Sequence, residues 1–364
     1  MTKLVETRGC IDVAGFVDGG EFGCLGWVAP VMWSGLSERE GRPELECAVG
    51  TTAVPRDQQT VRWGSSADVA RVLSDLIGGD QCRFEVVIRR EFAQGLPRGD
   101  FLLSITPRFG ADRAGQPRFV LVNPSVPLPD ADAVNSIGGH FAVAYEFLGH
   151  FIARGGLTRD ARVLDVGCGV GRMAYPLAYY LSPRGKYDGF DIMRDAVEWA
   201  QSALGKKFPN FAFRHLDVFN TRYNPRGVMA ADEVTFPQAD ASVDFAFLTS
   251  VFTHMLPSQV ERYLDELRRV VVKGGRVLIT CFLLNEESRA LIAAGKSSQP
   301  LQHPLGVAMV VDPDVPEASI GFPEAWMKDQ LARRNWRLVG SWPGAWCGRQ
   351  GGVSYQDILV VEKV

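Results

Sequence analysis

Residues 163–172 read Val-Leu-Asp-Val-Gly-Cys-Gly-Val-Gly-Arg. Val163, Leu164 and Val166 have strand character and run into glycines at 167, 169 and 171, with Cys168 as a small residue inside the turn. Arg172 opens a helix-like segment that continues to Leu181. Glycine lets a backbone turn tightly and come close to a ligand, and several nucleotide-binding folds use a strand, loop and helix of this kind. Asp165 sharpens the reading. A carboxylate ahead of the first glycine does not suit a pyrophosphate, which wants bare N–H groups and positive potential. It suits a cationic ligand with an amino-acid head. Asp191 ends a second strand-like run, Tyr187 to Phe190, twenty residues past Gly171. An acid there is placed to accept from both hydroxyls of a ribose, which points to an adenosine ligand.

A third apolar run, Phe211 to His215, is followed by Asp217-Val218. A fourth, Val243 to Leu248, leads into Thr249-Ser250-Val251-Phe252-Thr253-His254. His254 falls at the C-terminal edge of this strand, where open α/β sheets bind ligands, and imidazole titrates near neutrality. It is the leading candidate for a general base. His140, in Ser136-Ile-Gly-Gly-His140, is a candidate substrate contact, as are Tyr355 and Gln356 at the start of the last strand, which could instead close a hairpin. His150 reads as structural, and His215 as packing or an adenine-side position. The five histidines have no metal-ligand spacing, and no metal is expected.

The Asp165-x-Gly167-x-Gly169-x-Gly171 run resembles motif I of the class I S-adenosylmethionine-dependent methyltransferases, and the resemblance extends over about residues 136–364. It implies S-adenosylmethionine as cofactor. Its contacts would come from Asp165, Gly167, Cys168, Gly169, Gly171, Arg172, Asp191, Ile192, Asp217, Val218, Thr249 and Ser250, with Asp217 near the adenine amino group. It also implies a Rossmann-like, doubly wound sheet of seven strands ending in a hairpin with one antiparallel strand, and a segment around His140 that covers the site. Within the family, the resemblance is to bacterial enzymes that modify small molecules or polysaccharides. The expected reaction is therefore O-methylation of a sugar or other small or glycan-linked acceptor, with N- or carboxyl-methylation as alternatives. An NAD-type dehydrogenase, or a non-catalytic protein that binds the sulfonium ligand or glycan, are readings of other classes; Asp165 and His254 weigh against both.

The elements that must position these residues alternate as strand and helix from Arg162 onward, the pattern of a doubly wound parallel sheet. A helix is expected over about Gly139 to Arg154, another from a Ser258–Glu261 capping box, and a third begun by Pro323. Residues 285–320 read as a long irregular insertion, which in a compact domain is commonly a lid. Residues 1–122 read differently. Phe84, Val86 and Ile88, and then Phe101, Leu103 and Ile105, alternate with more polar residues between turn-forming glycines and prolines, the signature of a small antiparallel β-sandwich. Val69, Val72, Leu73, Leu76 and Ile77 suggest one helix within it. Gly26-Trp27 and Asp68-Val69 are loosely similar to accessory β-sandwich modules of glycan-modifying enzymes. Three prolines among small polar residues at 123–135 suggest a linker.

Composition sets outer bounds. The 364 residues carry 46% hydrophobic residues, enough for a sizeable core, and a net charge of −3. That charge, without basic runs interleaved with aromatics, argues against a nucleic-acid partner. Seven cysteines without a Cys-x-x-Cys pair, and no apolar leader, suggest reduced thiols in a cytoplasmic protein. No apolar run approaches the roughly 20 residues of a membrane span.

Overall fold

The computed structural model describes residues 2–17, 19–37, 42–127, 129 and 142–364. His140 and the first residues of the helix expected from Gly139 lie outside this set. Backbone contacts divide the chain into two compact units. The first is Met1–Pro129 with Gly138–Ala153 and Tyr175–Tyr180; the second is Asp130–Ile137, Arg154–Ala174 and Leu181–Val364. This division differs from a cut at a 123–135 linker, because two helical stretches C-terminal to that point group with the first unit.

In the first unit the period-2 runs form strands. Arg83–Ile88 alternates between half-buried and buried positions, as the sequence suggests. It lies in an antiparallel sheet with Phe22–Pro30, Thr7–Phe16 and Gln59–Gly64. Phe101–Arg108 lies in a second sheet with Glu44–Val49 and Arg118–Val122. Phe22, Val86 and Ile88 from one sheet and Leu45, Leu103 and Ile105 from the other share one apolar core, as two facing sheets require. The internal helix is shorter than the hydrophobic spacing predicts. It covers Ala67–Val72, Val72 is 78% exposed, and Leu76 and Ile77 are buried beyond its end. A longer helix, Val143–Ala153, buries His150, whose Nδ1 accepts from the Gln116 amide at 2.8 Å.

The second unit is built on seven strands: β1 (Arg162–Val166), β2 (Lys186–Asp191), β3 (Phe211–His215), β4 (Val243–Leu248), β5 (Val271–Cys281), β6 (Trp336–Trp342) and β7 (Asp357–Lys363). Their order is β3-β2-β1-β4-β5-β7-β6. β1 to β5 pair in parallel, and β7 runs antiparallel to both neighbours. Strand order reverses between β1 and β4, the kind of switch point at which open α/β sheets leave a crevice for ligand. Leu164, Val166, Ala246, Leu248, Val277 and Ile279 supply the sheet's share of the core, and Val260, Leu264 and Leu267 cover it from the helix Pro257–Val270.

Two local expectations are corrected. The helix before β5 begins with Pro257 at its first position, not with Ser258 as a cap. Proline tolerates that position because its missing N–H would have no helical partner there, and the Gln259 side chain accepts from the Leu256 N–H at 2.8 Å. Gly274-Gly275, just beyond this helix, lies inside β5. Residues 285–320 are not irregular. They hold a helix, Glu286–Ala293, capped by Asn285, and strands His303–Leu305 and Ala308–Val310 that extend a small sheet through Ile320–Pro323 to Leu283–Leu284. Trp346, between Gly344 and Gly348, is fully buried, and its indole N–H donates to Asp357 at 2.8 Å.

Candidate functional site

A pocket opens at the C-terminal ends of β1, β2 and β4, enclosing about 970 Å³ of non-protein space, open solvent included. Gly167, Cys168, Gly169 and Arg172 line it from the glycine loop, Asp191 and Ile192 from the end of β2, and Thr249, Ser250 and His254 from the turn after β4. Val218 also lines it. Residues from three separate stretches of sequence are thus brought together.

The glycine loop needs glycine for two reasons. Gly167 has φ +81°, and a Cβ on it would stand 2.5 Å from Val251 Cγ2, so the loop after β4 can lie against it only without a side chain. Gly171 has φ +78°, and its Cβ would meet Leu204 at 2.9 Å. The loop's N–H groups are mostly committed inside the protein. Those of Gly167 and Cys168 donate to the Phe190 carbonyl at 2.9 and 3.0 Å, and that of Gly171 to the Cys168 carbonyl at 2.9 Å. Gly169 donates to Asp191 Oδ2 at 2.7 Å. A loop that grips pyrophosphate presents such groups to the ligand; here they are used up.

Asp191 is held from two sides, since its Oδ1 also accepts from the Met193 N–H at 2.8 Å. Burial pushes its pKa up, and the backbone donors of Met193, Gly169 and Ile192 pull the other way. The remaining lone pairs of this fixed carboxylate border the pocket, which fits acceptance from a ribose diol.

Asp165 does not line the pocket. Gly189 stands opposite it in β2, and the missing side chain leaves room for the Tyr187 hydroxyl, which donates to Asp165 Oδ2 at 2.6 Å. Oδ1 has no hydrogen-bond partner among the described residues. Burial pushes this carboxyl up to about 8, partly offset by the Tyr187 hydrogen bond. The carboxyl is therefore mostly protonated at neutral pH, and is not a surface charge awaiting a cation. A folded-state pKa above the ordinary 3.8 means that the folded chain holds a proton the unfolded chain releases. Its contribution is complete below 3.8 and is lost as pH rises through about 8. Thermal melts across that window should show a falling stability component that Asp165→Asn removes; equal pH slopes in both proteins would overturn this assignment.

Other expected contacts are also moved. Gly171 is turned into packing with Leu204 and does not line the pocket. Asp217 accepts from Asn224 at 3.1 Å and is likewise off the pocket wall, because the chain turns there into a tight hairpin in which Asn220 and Asn224 pair. Tyr355 bonds Ser298 and Gln299, each at 2.9 Å, away from the pocket. Gln356 reaches the site only indirectly. Its Oε1 accepts from Thr280 Oγ1 at 2.5 Å, and that oxygen accepts from the Ser250 N–H at 2.8 Å. This bond helps hold Ser250 at φ +62°, a conformation uncommon without glycine. His215 Nε2 lies 3.2 Å from the Ile192 carbonyl and is structural.

His254 sits in a short 3₁₀ turn, Phe252–His254, after β4. Its Nδ1 lies 2.9 Å from the Glu317 carbonyl, which can only accept. The proton is thus on Nδ1, and Nε2 carries the lone pair, 3.5 Å from the Tyr223 hydroxyl. Burial lowers the imidazole pKa from its ordinary 6.5, so the ring is neutral at pH 7. Asn220, Tyr223 and Gln259 complete this end of the pocket, and Glu317 stands behind them. None of these four stands out as a site residue in the sequence. Gln259 was visible only as part of a helix start; the others pair across a hairpin and an insertion, which local periodicity does not report. Among the described residues no group of three or more His, Cys, Asp or Glu side chains could hold a metal ion, and no helix is long and apolar enough to cross a membrane.

Comparisons with known proteins agree with this geometry. The family model described as "Methyltransferase domain" matches residues 164–279, from β1 to the middle of β5. The chain is 26% identical over 132 residues to the tRNA N(3)-cytidine methyltransferase METTL2 of Gallus gallus, a match covering 34% of this chain and 31% of that protein. It is 24% identical over 131 residues to METTL2B of Homo sapiens, covering 34% and 30%. The chain thus spans less than a third of the length of these curated relatives. A solved S-adenosylmethionine-dependent methyltransferase from Aquifex aeolicus is 18% identical, with a TM-score of 0.42 over 65% of this chain and all of that one. The exclusion of nucleic acid drawn from net charge does not stand: both curated relatives are named for a tRNA substrate. Net charge averages over the whole surface and does not report on one face. With the family match lying on the glycine loop, Asp191 and the turn after β4, the chain carries a class I, S-adenosylmethionine-dependent methyltransferase domain.

Proposed function

We propose that the whole chain transfers a methyl group from S-adenosylmethionine to a hydroxyl of a sugar or other small or glycan-linked acceptor, with His254 as general base. The observation that carries this reading is the tautomer of His254: Nδ1 is bonded to a carbonyl, and Nε2 carries a lone pair beside the Tyr223 hydroxyl, in a pocket also lined by Asn220 and Gln259. When bound, S-adenosylmethionine supplies an electrophilic methyl on a sulfonium whose leaving group is neutral. Asp191 would accept from the ribose hydroxyls, while Gly167 and Gly169 would allow close approach. Thr249 and Ser250 border the same space. A hydroxyl is a weak nucleophile until it loses its proton, and Nε2 of a neutral imidazole can take it. Alignment of the two reacting groups contributes the rest; orientation supplies at best about 7–11 kcal/mol.

A second reading has one observation in its favour. The curated relatives are named for methylation of a cytidine in tRNA, so a nucleobase nitrogen is the competing acceptor. Incubation of the protein with methyl-labelled S-adenosylmethionine and an extract of the source cell separates them. Label in a sugar ether, resistant to ribonuclease, supports the first reading. Label released by ribonuclease transfers the assignment to the second, and label in a small amine or ester rejects both. The cellular part of the reading is a cytoplasmic location, supported by seven cysteines that are all unbridged. The β-rich residues 1–122 are, in this reading, an accessory domain.

A further inference from the structure

Glu317 is 3% exposed, yet it carries a carboxylate into the segment between β5 and β6. A buried carboxylate persists only where donors satisfy it. Its donors all come from one hairpin. Oε1 accepts from the Asn220 amide at 3.1 Å, and Oε2 accepts from the Thr221 N–H at 2.8 Å and from the Thr221 hydroxyl. The same residue turns its main-chain carbonyl to His254 Nδ1 at 2.9 Å. The hairpin that the carboxylate grips is itself tightly made. Asn220 Oδ1 accepts from the N–H groups of Arg222 and Tyr223 at 3.0 and 2.9 Å, and the main chains of Asn220 and Asn224 pair. Tyr223 is thereby set edge-on to the His254 ring, with centroids 5.3 Å apart. One residue therefore holds the group on each side of the imidazole: the carbonyl on Nδ1 is its own, and the hydroxyl near Nε2 belongs to the hairpin it anchors.

We propose that Glu317 is a positioning residue, which fixes His254 in the tautomer with a bare Nε2 and seats Tyr223 against it, so that the acceptor end of the pocket forms only when residues 316–318 are docked. The inference rests on the reading of His254 as the base. Three converging donors explain why the residue is an acid. A glutamine in its place has one acceptor oxygen, and its amide N–H₂ would face a donor. The asymmetry of this arrangement confines the effect to the acceptor side: Asp191, Gly167 and Gly169 have no bond to Glu317 or to the 220–223 turn in the hydrogen bonds described above.

Nitrogen-labelled histidine in the full chain tests this without any acceptor. Long-range proton–nitrogen correlation distinguishes a protonated ring nitrogen from a bare one, and His254→Ala assigns the signals. In the wild type, Nδ1 should carry the proton and Nε2 should be bare. In Glu317→Gln the two nitrogens should lose this distinction or exchange it, while calorimetric affinity for S-adenosylmethionine stays within about twofold. Thr221→Val, which removes one donor and disturbs less, should shift the same signals in the same direction. A wild-type His254 protonated on Nε2 overturns the inference. So does a folded Glu317→Gln, or a folded Thr221→Val if the first variant does not fold, that keeps the wild-type pattern. Failure of the base assignment looks different: His254→Ala would turn over normally while the tautomer still responded to Glu317.

Discussion

His254→Ala should lower kcat for methyl transfer by about 10²–10⁴-fold, the usual worth of a positioned general base, while the Kd for S-adenosylmethionine changes by no more than about twofold. The split follows from where the ring sits. Its Nε2 faces Tyr223 at the acceptor end, whereas the adenosine-side carboxylate lines the pocket from the end of β2. The pH dependence gives a second handle. A base works when unprotonated, so activity should fall as pH drops through the imidazole pKa, which burial holds below 6.5. The acidic limb should therefore lie below that value, and the alanine variant should lack it. A wild-type rate that stays level to the point of acid unfolding would remove His254 from proton transfer. A nitrogen acceptor that is already neutral would weaken the effect of the substitution without abolishing methyl transfer, which links this experiment to the choice between acceptor classes.

Asp191→Ala should weaken S-adenosylmethionine binding by about 10–150-fold, the equivalent of about 1.5–3 kcal/mol for hydrogen bonds to a charged acceptor. Two effects act together. The ribose loses its acceptor, and the Gly169 N–H loses the oxygen that fixes the loop at 2.7 Å. Calorimetry measures the loss, and a melting curve run beside it shows whether the loop has failed more widely. Affinity within about twofold of wild type in a folded variant would show that the ribose is held elsewhere.

The half of the site that was legible in the sequence is the half made by local rules. Strand ends at Val166, Asp191 and Leu248 fall where apolar runs stop, and glycines at 167, 169 and 171 announce a turn whose φ values require them. Parallel strands carry their ligand residues at these ends, so the strand pattern alone points to Asp191 and His254. Asp165 was legible as an acid but not as a buried one, because its fate depends on Gly189 and Tyr187 in the neighbouring strand. Asp217 failed for the opposite reason: it fits the spacing, yet the hairpin that follows binds it to Asn224. Glu317 was hidden altogether. Its partners are 96 and 97 residues away, and neither periodicity nor turn propensity encodes a pairing at that distance. Residues 285–320 looked irregular because their strands are three residues long, too short to establish an alternation.

The internal hydrogen bonds of the glycine loop also decide what the pocket refuses. A nucleoside phosphate brought to this loop would have to shed water from its oxygens, and the N–H groups of Gly167, Cys168, Gly169 and Gly171 are already spent on carbonyls and a carboxylate. It would also approach the side chain of Asp191, an acid that lines the pocket. Adenine nucleotides share the adenosine portion of S-adenosylmethionine, and the ribose alone cannot tell them apart. At the tail of the ligand the loop offers uncharged, self-satisfied backbone in place of a phosphate cradle, so a phosphate there would find no free loop N–H to replace its water.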